Sequence, residues 1–230
     1  MRTDEGIALR SSDTATSEHT STNVVANPMP RPFVTAVVTA SVGLEFSSIG
    51  DGTCYVSGAG SCRDSLIILP EYSPLGERVV GIGSYAFRGC DFLKCVELNE
   101  NLKFIGAYAF YGTDIVNAVI PAELEQIGDF AFCNCPELEN ITVDPQNSLY
   151  SDVDGVLYNK DMTELIKYPP AKGSHYMDSY TIPDTVKKIA FHAFEGATML
   201  GEIHIPSSVI MIESQAFYRT QAYWNSVRSG

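Results

Sequence analysis

One eight-residue phrase occurs five times in this chain of 230 residues. The copies are IGSYAFRG (82–89), IGAYAFYG (105–112), IGDFAFCN (127–134), IAFHAFEG (189–196) and IESQAFYR (212–219). Each copy has an isoleucine five residues before a phenylalanine and an alanine directly before it. The phenylalanines lie 23, 22, 62 and 23 residues apart, at Phe87, Phe110, Phe132, Phe194 and Phe217. A repeat of about 22 residues predicts a stack of similar coils.

A second phrase, LxxIxIP, lies between the copies of the first. Its apolar residues alternate with other residues, which is the pattern of a strand with one buried face. Proline has no N–H and stops strand pairing just after the phrase. It stands eleven residues before a phenylalanine of the first phrase at Pro121, Pro183 and Pro206. One such unit cannot bury its apolar face alone, whereas stacked copies align equivalent side chains into ladders. The sequence therefore predicts a repeat solenoid.

Joined together, the two phrases read (L/V)xxIGxxAFxGCxxLxxIxIP, which resembles the BspA-like leucine-rich repeat family. The resemblance covers residue 44 to about residue 220, and five copies match in register. Ala190 and Glu213 depart from the pattern at the glycine, and Thr113 and Ala197 depart from it at the cysteine. The resemblance implies a leucine-rich repeat with one parallel β-sheet, mostly β and turns with little helix, interrupted by a β-hairpin insert.

The chain divides into four predicted segments. Residues 1–43 read as a disordered Ser/Thr-rich lead with room for a peripheral strand. Residues 44–79 read as an N-terminal capping hairpin and first strand, because an open solenoid end exposes unpaired strand edges. Residues 80–220 form the solenoid, with a hairpin insert at 144–183 where the β-like runs GVLYN and TELIKYP flank NKDM. Residues 221–230 form a degenerate C-terminal end.

The acidic composition disfavours partners that are themselves negatively charged. The net charge is −13, from 15 basic and 28 acidic residues, and such a surface repels phosphate backbones and anionic membranes. No run reaches the roughly 20 apolar residues of a membrane-spanning helix. The stretch RPFVTAVVTASVG (31–43) admits two interpretations, a remnant export signal and a peripheral β segment, of which the second is favoured. No nucleic-acid partner and no membrane insertion are predicted.

Six cysteines are present, at Cys54, Cys62, Cys90, Cys95, Cys133 and Cys135. Their spacing contains no repeated CxxC pair, which argues against a structural zinc site. Cys54 and Cys62 flank a glycine-rich turn and fit either a disulfide across a hairpin or two buried thiols. Cys90 and Cys135 share one repeat position, so both are predicted to face the core rather than to be reactive.

Catalytic chemistry has little support in the sequence. The histidines are scattered, at His19, His175, His192 and His204. His192 is predicted to be a surface histidine on the outer side of its turn, without a nucleophilic partner. The DVDG segment (152–155) has its glycine at position four, which favours a turn over a calcium-binding loop. We predict no catalytic residue, no cofactor and no metal, and hence no enzyme.

The outward face of the predicted sheet is the candidate partner-binding surface. Side chains between the ladder positions should face solvent, because side chains alternate along a strand. The candidates are Ile68, Glu97, Val119, Asn140, Thr142, Glu202 and His204. The resemblance implies a non-enzymatic, surface-associated or secreted module that binds an unidentified protein, such as a host or matrix protein. The alternative is a structural spacer, or a fragment of a longer array, with no ligand of its own.

Overall fold

The computed structural model describes residues 40–173 and 178–226, so most of the predicted disordered lead lies outside the described residues. Within those two ranges the chain forms strands and turns and no helix, and hence no helix able to cross a membrane. The strands are β1 (Glu45–Ser48), β2 (Thr53–Gly58), β3 (Leu66–Ile68), β4 (Arg78–Ile82), β5 (Cys95–Glu97), β6 (Phe104–Ile105), β7 (Asn117–Ile120), β8 (Gln126–Ile127), β9 (Asn140–Val143), β10 (Tyr150–Val153), β11 (Val156–Asn159), β12 (Glu164–Lys167), β13 (Asp178–Thr181), β14 (Lys188–Ile189), β15 (Leu200–Ile205), β16 (Met211–Ile212) and β17 (Tyr223–Ser226).

These strands form four sheets. Sheet A has the order β1-β2-β4-β6-β8, and sheet B has the order β3-β5-β7-β9. After β9 the pattern resumes as sheet C, with the order β10-β11-β12-β14-β16, and sheet D, with the order β13-β15-β17. Pairing is parallel except in the hairpins β1–β2, β10–β11 and β11–β12. The predicted parallel solenoid is confirmed, with a second strand per coil, before the AF turn, that the sequence analysis did not predict.

Aromatic rings stack along the interior. The centroids of Phe87 and Phe110 are 5.5 Å apart, and those of Phe110 and Phe132 are 5.4 Å apart. Phe194 stacks on Phe217 at 5.1 Å. These contacts confirm the predicted phenylalanine ladder, which follows from the common position of each ring in its coil.

Each AF turn reverses the chain with residues in the left-handed region. The residue two positions before the phenylalanine has a φ between 56° and 63°, at Tyr85, Tyr108, Phe130, His192 and Gln215. The residue two positions after it is also left-handed, at Gly89, Gly112, Asn134, Gly196 and Arg219. Three of the first set form an outer stack of rings, with Tyr108 lying 5.0 Å from Tyr85 and 4.6 Å from Phe130.

The insert begins with the tight hairpin that joins β10 to β11. Asp154 and Gly155 form its two-residue turn, both with positive φ, as Asp-Gly favours. The turn predicted at DVDG is therefore confirmed, as are strands over GVLYN and TELIKYP. The insert also covers a strand edge of the preceding coil, because Ile141 N–H donates to the carbonyl of Gly155 at 2.9 Å.

The two alternatives for Cys54 and Cys62 are resolved in favour of free thiols. Both side chains are buried, and neither is in a disulfide. Burial raises the pKa of the Cys54 thiol. Cys135 is buried and Cys90 packs against the core, as their shared repeat position predicts.

Candidate functional site

Sheet B presents two columns of outward side chains. Between the columns lies a buried row at Ile67, Val96, Ala118 and Ile141. Strand register gives one column as Leu66, Cys95, Asn117 and Asn140, and the other as Ile68, Glu97, Val119 and Thr142. Val119 is 56% exposed, and Glu97 and Thr142 are also exposed. The strand alternation predicted from the sequence is therefore present on this face.

The seven predicted face residues divide between two sheets. Ile68, Glu97, Val119, Asn140 and Thr142 lie on sheet B, whereas Glu202 and His204 lie on β15 of sheet D. Asn140 Nδ2 donates to Asn117 Oδ1 at 3.3 Å, and His204 Nε2 lies 3.6 Å from Glu202 Oε2. The insert interrupts strand pairing between the two sheets, so the candidate face consists of two separate patches.

A buried polar cluster lies at the junction of the third and fourth AF turns. It consists of Cys133, His192 and Glu195, whose nearest donor atoms all lie within 4.8 Å of one another. His192 is only 7% exposed, so the prediction of a surface histidine is wrong. The sequence analysis considered His192 and Cys133 separately and did not bring them together with Glu195.

The path of the insert explains the burial of His192. Residues 166–170 contain no left-handed residue, so this coil lacks the turn conformation of the other coils. The turns at 130–134 and 191–196 contact each other directly. The ring of Phe130 lies 5.2 Å from the ring of His192, and the amide of Asn134 donates to Glu195 Oε2 at 3.3 Å.

Hydrogen bonds hold the histidine ring from one side only. His192 Nε2 lies 2.6 Å from Gln215 Oε1. His192 Nδ1 lies 3.0 Å from Glu195 Oε2, but the direction does not suit a hydrogen bond. Nδ1 is consequently a buried nitrogen without a hydrogen-bond partner among the described residues. Lys167 Nζ donates to the backbone carbonyl of His192 at 3.1 Å.

Burial controls the ionisation of two groups in this region. It raises the pKa of the Cys133 thiol to about 12, with a smaller opposing effect from Lys167. It lowers the pKa of Lys167, because the ammonium form is desolvated. Cys133 is therefore a neutral thiol near neutral pH unless a cation binds it.

A cleft opens beside the cluster. Its volume is about 800 Å³, and it lies between the coil that ends sheet A and the coils of sheet C. Its walls include Phe130, Cys133, Lys167, Lys188, Phe191 and Glu213. Cys133 thus belongs both to the buried cluster and to a surface that solvent reaches.

Aligning the five copies of the AF phrase shows one feature of this cluster in the sequence. Cys133 and Glu195 occupy the same repeat position, directly after the phenylalanine, where other copies have Arg88, Tyr111 and Tyr218. His192 occupies the left-handed position two before Phe194. The alignment does not reveal that the two turns meet across the insert, because the intervening coil breaks the 22-residue spacing.

The stacked coils, the ring ladder and the parallel repeat strands define a leucine-rich repeat solenoid. The family model described as "BspA type Leucine rich repeat region" matches residues 71–169 and 172–227 in six copies. The chain belongs to this family of BspA-type leucine-rich repeat proteins. No curated protein matches the sequence.

Solved structures share the fold. The pneumococcal vaccine antigen PcpA superposes with a TM-score of 0.59 and 24% identity, over 70% of this chain and 39% of that one. A leucine-rich cell surface protein from Faecalibacterium prausnitzii superposes with a TM-score of 0.51 and 19% identity, over 82% of this chain and 76% of that one. This chain therefore spans well under half the length of the pneumococcal chain.

Proposed function

We propose that this chain is a non-enzymatic protein-binding module that acts at the cell surface or after secretion. The observation that carries the proposal is the ordered outward face of sheet B, with its two columns of aligned side chains. Leucine-rich repeat solenoids commonly bind partners on extended surfaces of this kind. One solved neighbour is described as a cell surface protein, and another as a vaccine antigen.

The chemistry of the face favours a protein partner. The column Ile68, Glu97, Val119 and Thr142 alternates apolar and polar groups. Adjacent strands lie about 4.8 Å apart, so four aligned side chains extend over roughly 15 Å. A mixed column of this length suits multi-point contact with a protein surface. The net charge of −13 favours a partner with a basic patch.

Lysine substitutions along the column Ile68, Glu97, Val119 and Thr142 test this proposal. We expect the triple variant Glu97→Lys, Val119→Lys and Thr142→Lys to lose binding to cultured epithelial cells and to immobilised matrix proteins. Its melting temperature should change little, because all three side chains are exposed. Asn140 is left unchanged in this design because its amide bonds to Asn117. Binding is measured with fluorescently labelled protein.

A matched triple variant distinguishes an effect of altering the sheet B face from an effect of altering the net charge of the protein. Glu71→Lys, Leu75→Lys and Ile210→Lys places three lysines, with the same change in net charge, at exposed positions outside sheet B. We expect this control to bind as the wild type does. Equal loss in both variants would indicate a charge effect, and equal binding by both would exclude the sheet B face. Absence of binding by the wild type would favour the spacer role.

A further inference from the structure

We propose that Cys133, His192 and Glu195 bind one divalent transition-metal ion of the zinc class. The three side chains supply one sulfur, one nitrogen and one oxygen ligand, a set that zinc accepts in proteins. They come from two AF turns that are 62 residues apart in sequence and in direct contact in the fold. Three protein ligands leave a fourth position for water or another ligand.

The unpartnered nitrogen of His192 is the observation that points to a ligand. Gln215 Oε1 accepts a hydrogen bond from His192 Nε2 at 2.6 Å. The proton on Nε2 leaves Nδ1 with a free lone pair. That lone pair is buried 3.0 Å from the carboxylate oxygen of Glu195. Two electron-rich atoms at this distance repel each other unless a cation lies between them.

The geometry favours a shared metal ion over a shared proton. A proton on Nδ1 would have to point at Glu195 Oε2, but the pair fails the direction that a hydrogen bond needs. Two atoms that bind one metal ion each direct a lone pair at the ion and not at each other. At metal–ligand distances of about 2.0–2.2 Å, two ligand atoms at a tetrahedral angle are roughly 3.3–3.6 Å apart. The observed separation of 3.0 Å is a few tenths of an ångström shorter, so a bound metal would move the two atoms slightly apart.

Cys133 completes the donor set and distinguishes the site from an ion pair. Its sulfur lies within 4.8 Å of the donor atoms of His192 and Glu195. On binding, the thiol proton leaves to solvent and the thiolate replaces a water of the hydrated ion. The thiolate and the carboxylate then balance the two positive charges of the metal.

The cleft gives the ion a route to the site. Cys133 lines the cleft, whereas His192 and Glu195 lie behind it. Gln215 acts as a positioning residue, because its carboxamide holds the tautomer that leaves Nδ1 free. The sequence analysis predicted no metal, since the three ligands follow no local spacing motif.

Metal titration of the full chain, purified without a polyhistidine tag and stripped with a chelator, tests the proposal. We expect one Zn²⁺ per chain by competition with a chromophoric chelator, and a rise in melting temperature with Zn²⁺. Co²⁺ should give the charge-transfer absorption of a cobalt–thiolate bond. Cys133→Ser should remove that absorption and weaken Zn²⁺ binding by more than about 100-fold, and Gln215→Leu by about 10–100-fold.

Cys135→Ser is the matched control for the cysteine variant. Cys135 lies two residues from Cys133 and is also buried, and its thiol bonds to the backbone carbonyls of Phe110 and Cys133 rather than to a donor atom of the cluster. We expect Cys135→Ser to bind Zn²⁺ as the wild type does. Glu195→Gln is nearly isosteric, and it tests the site if Cys133→Ser does not fold. Equal Zn²⁺ binding by wild type and Cys133→Ser, or no stoichiometric binding by the wild type, would overturn the proposal and leave a buried His–Glu contact.

Discussion

At the residue scale, the glycine after the repeat isoleucine shows what stacking demands. A Cβ placed on Gly128 would lie 2.4 Å from the backbone nitrogen of Ala107, in the preceding coil. Gly106 has the same relation to Ser84, also at 2.4 Å. Adjacent coils therefore leave no room for a side chain at this position. Ala190, which follows the insert, occupies the equivalent position and tolerates a methyl group.

We expect Gly128→Ala to lower the free energy of unfolding by about 3 kcal/mol, near the upper end for overpacking, because the contacted atoms are backbone. The reverse change at the equivalent position, Ala190→Gly, should cost less than about 1 kcal/mol. Urea unfolding of both variants measures the difference. Similar costs at the two positions would contradict the idea that close coil packing selects the glycine.

At the element scale, the insert closes the edges of two sheets. Tyr150 at the start of β10 accepts a hydrogen bond from the amide of Ile127, at the end of sheet A, at 3.0 Å. Asp152 accepts one from the amide of Val143, in sheet B, at 2.7 Å. The insert thereby satisfies strand groups that would otherwise face solvent.

Ion pairs also connect neighbouring strands of sheet C. Lys188 on β14 lies 3.0 Å from Glu164 on β12 and 2.9 Å from Glu213, which follows β16. The hydrogen bond from Lys188 is the main cause that holds the pKa of Glu213 below its usual 4.5. Hydrogen bonds to Glu213 and Glu164 raise the pKa of Lys188 above its usual 10.5. Partial exposure screens both interactions.

These shifts predict how the stabilisation by Lys188 depends on pH. The contribution of Glu213 is fully present above its unfolded pKa near 4.5, and it is lost as the pH falls through the lower folded value. The contribution of Lys188 is fully present below 10.5, and it is lost as the pH rises through the raised folded value. We expect Lys188→Met to melt below the wild type at neutral pH, with a gap that closes in acid.

Melting curves from about pH 7 to about pH 2 measure this gap. Lys103→Met is the control, since Lys103 and Glu125 form an exposed pair at 3.6 Å. That variant should melt near the wild type throughout. A gap for Lys188→Met that stays constant into acid would show that lost packing, rather than charge, causes the effect.

At the scale of the whole molecule, the described residues of the solenoid form two hydrophobic cores. The first runs from Leu44 to Ile141 and includes Leu157 of the insert. The second runs from Val156 to Ala222. Tyr168 lies in the second core and stacks on Phe194 at 5.2 Å, so the insert adds its own ring to the ladder. Coils in such an array contact mainly their neighbours, so each core can lose structure separately.

We expect Phe194→Ala to weaken the second core by roughly 3–5 kcal/mol, because a fully buried ring leaves a cavity. Amide exchange measured by NMR or mass spectrometry should accelerate around Ile203 and change little around Ile105. Phe110→Ala is the matched variant, and it should produce the opposite pattern. Equal acceleration in both halves from either variant would show that the solenoid unfolds as one unit.

Much of the fold followed from the sequence because the repeat is local. The Ile, Ala and Phe positions and the alternation around Ile203 specify which side chains stack and which face out. The outward positions of Glu97 and Val119 were predicted on that basis. The second strand of each coil was not predicted, because β6, β8, β14 and β16 are only two residues long and show no alternation.

The sequence by itself determined that this chain is a solenoid of stacked coils, since equivalent apolar groups can be buried only against their copies. Only the tertiary structure decided that sheets B and D are separate and that Cys133 meets His192 and Glu195. That contact depends on the path of the insert, in which residues 166–170 take no left-handed turn. The side chains buried in the ladders recur with the 22-residue period, so the sequence alone reveals them. The contact between two turns on either side of an irregular coil depends instead on how the whole stack packs.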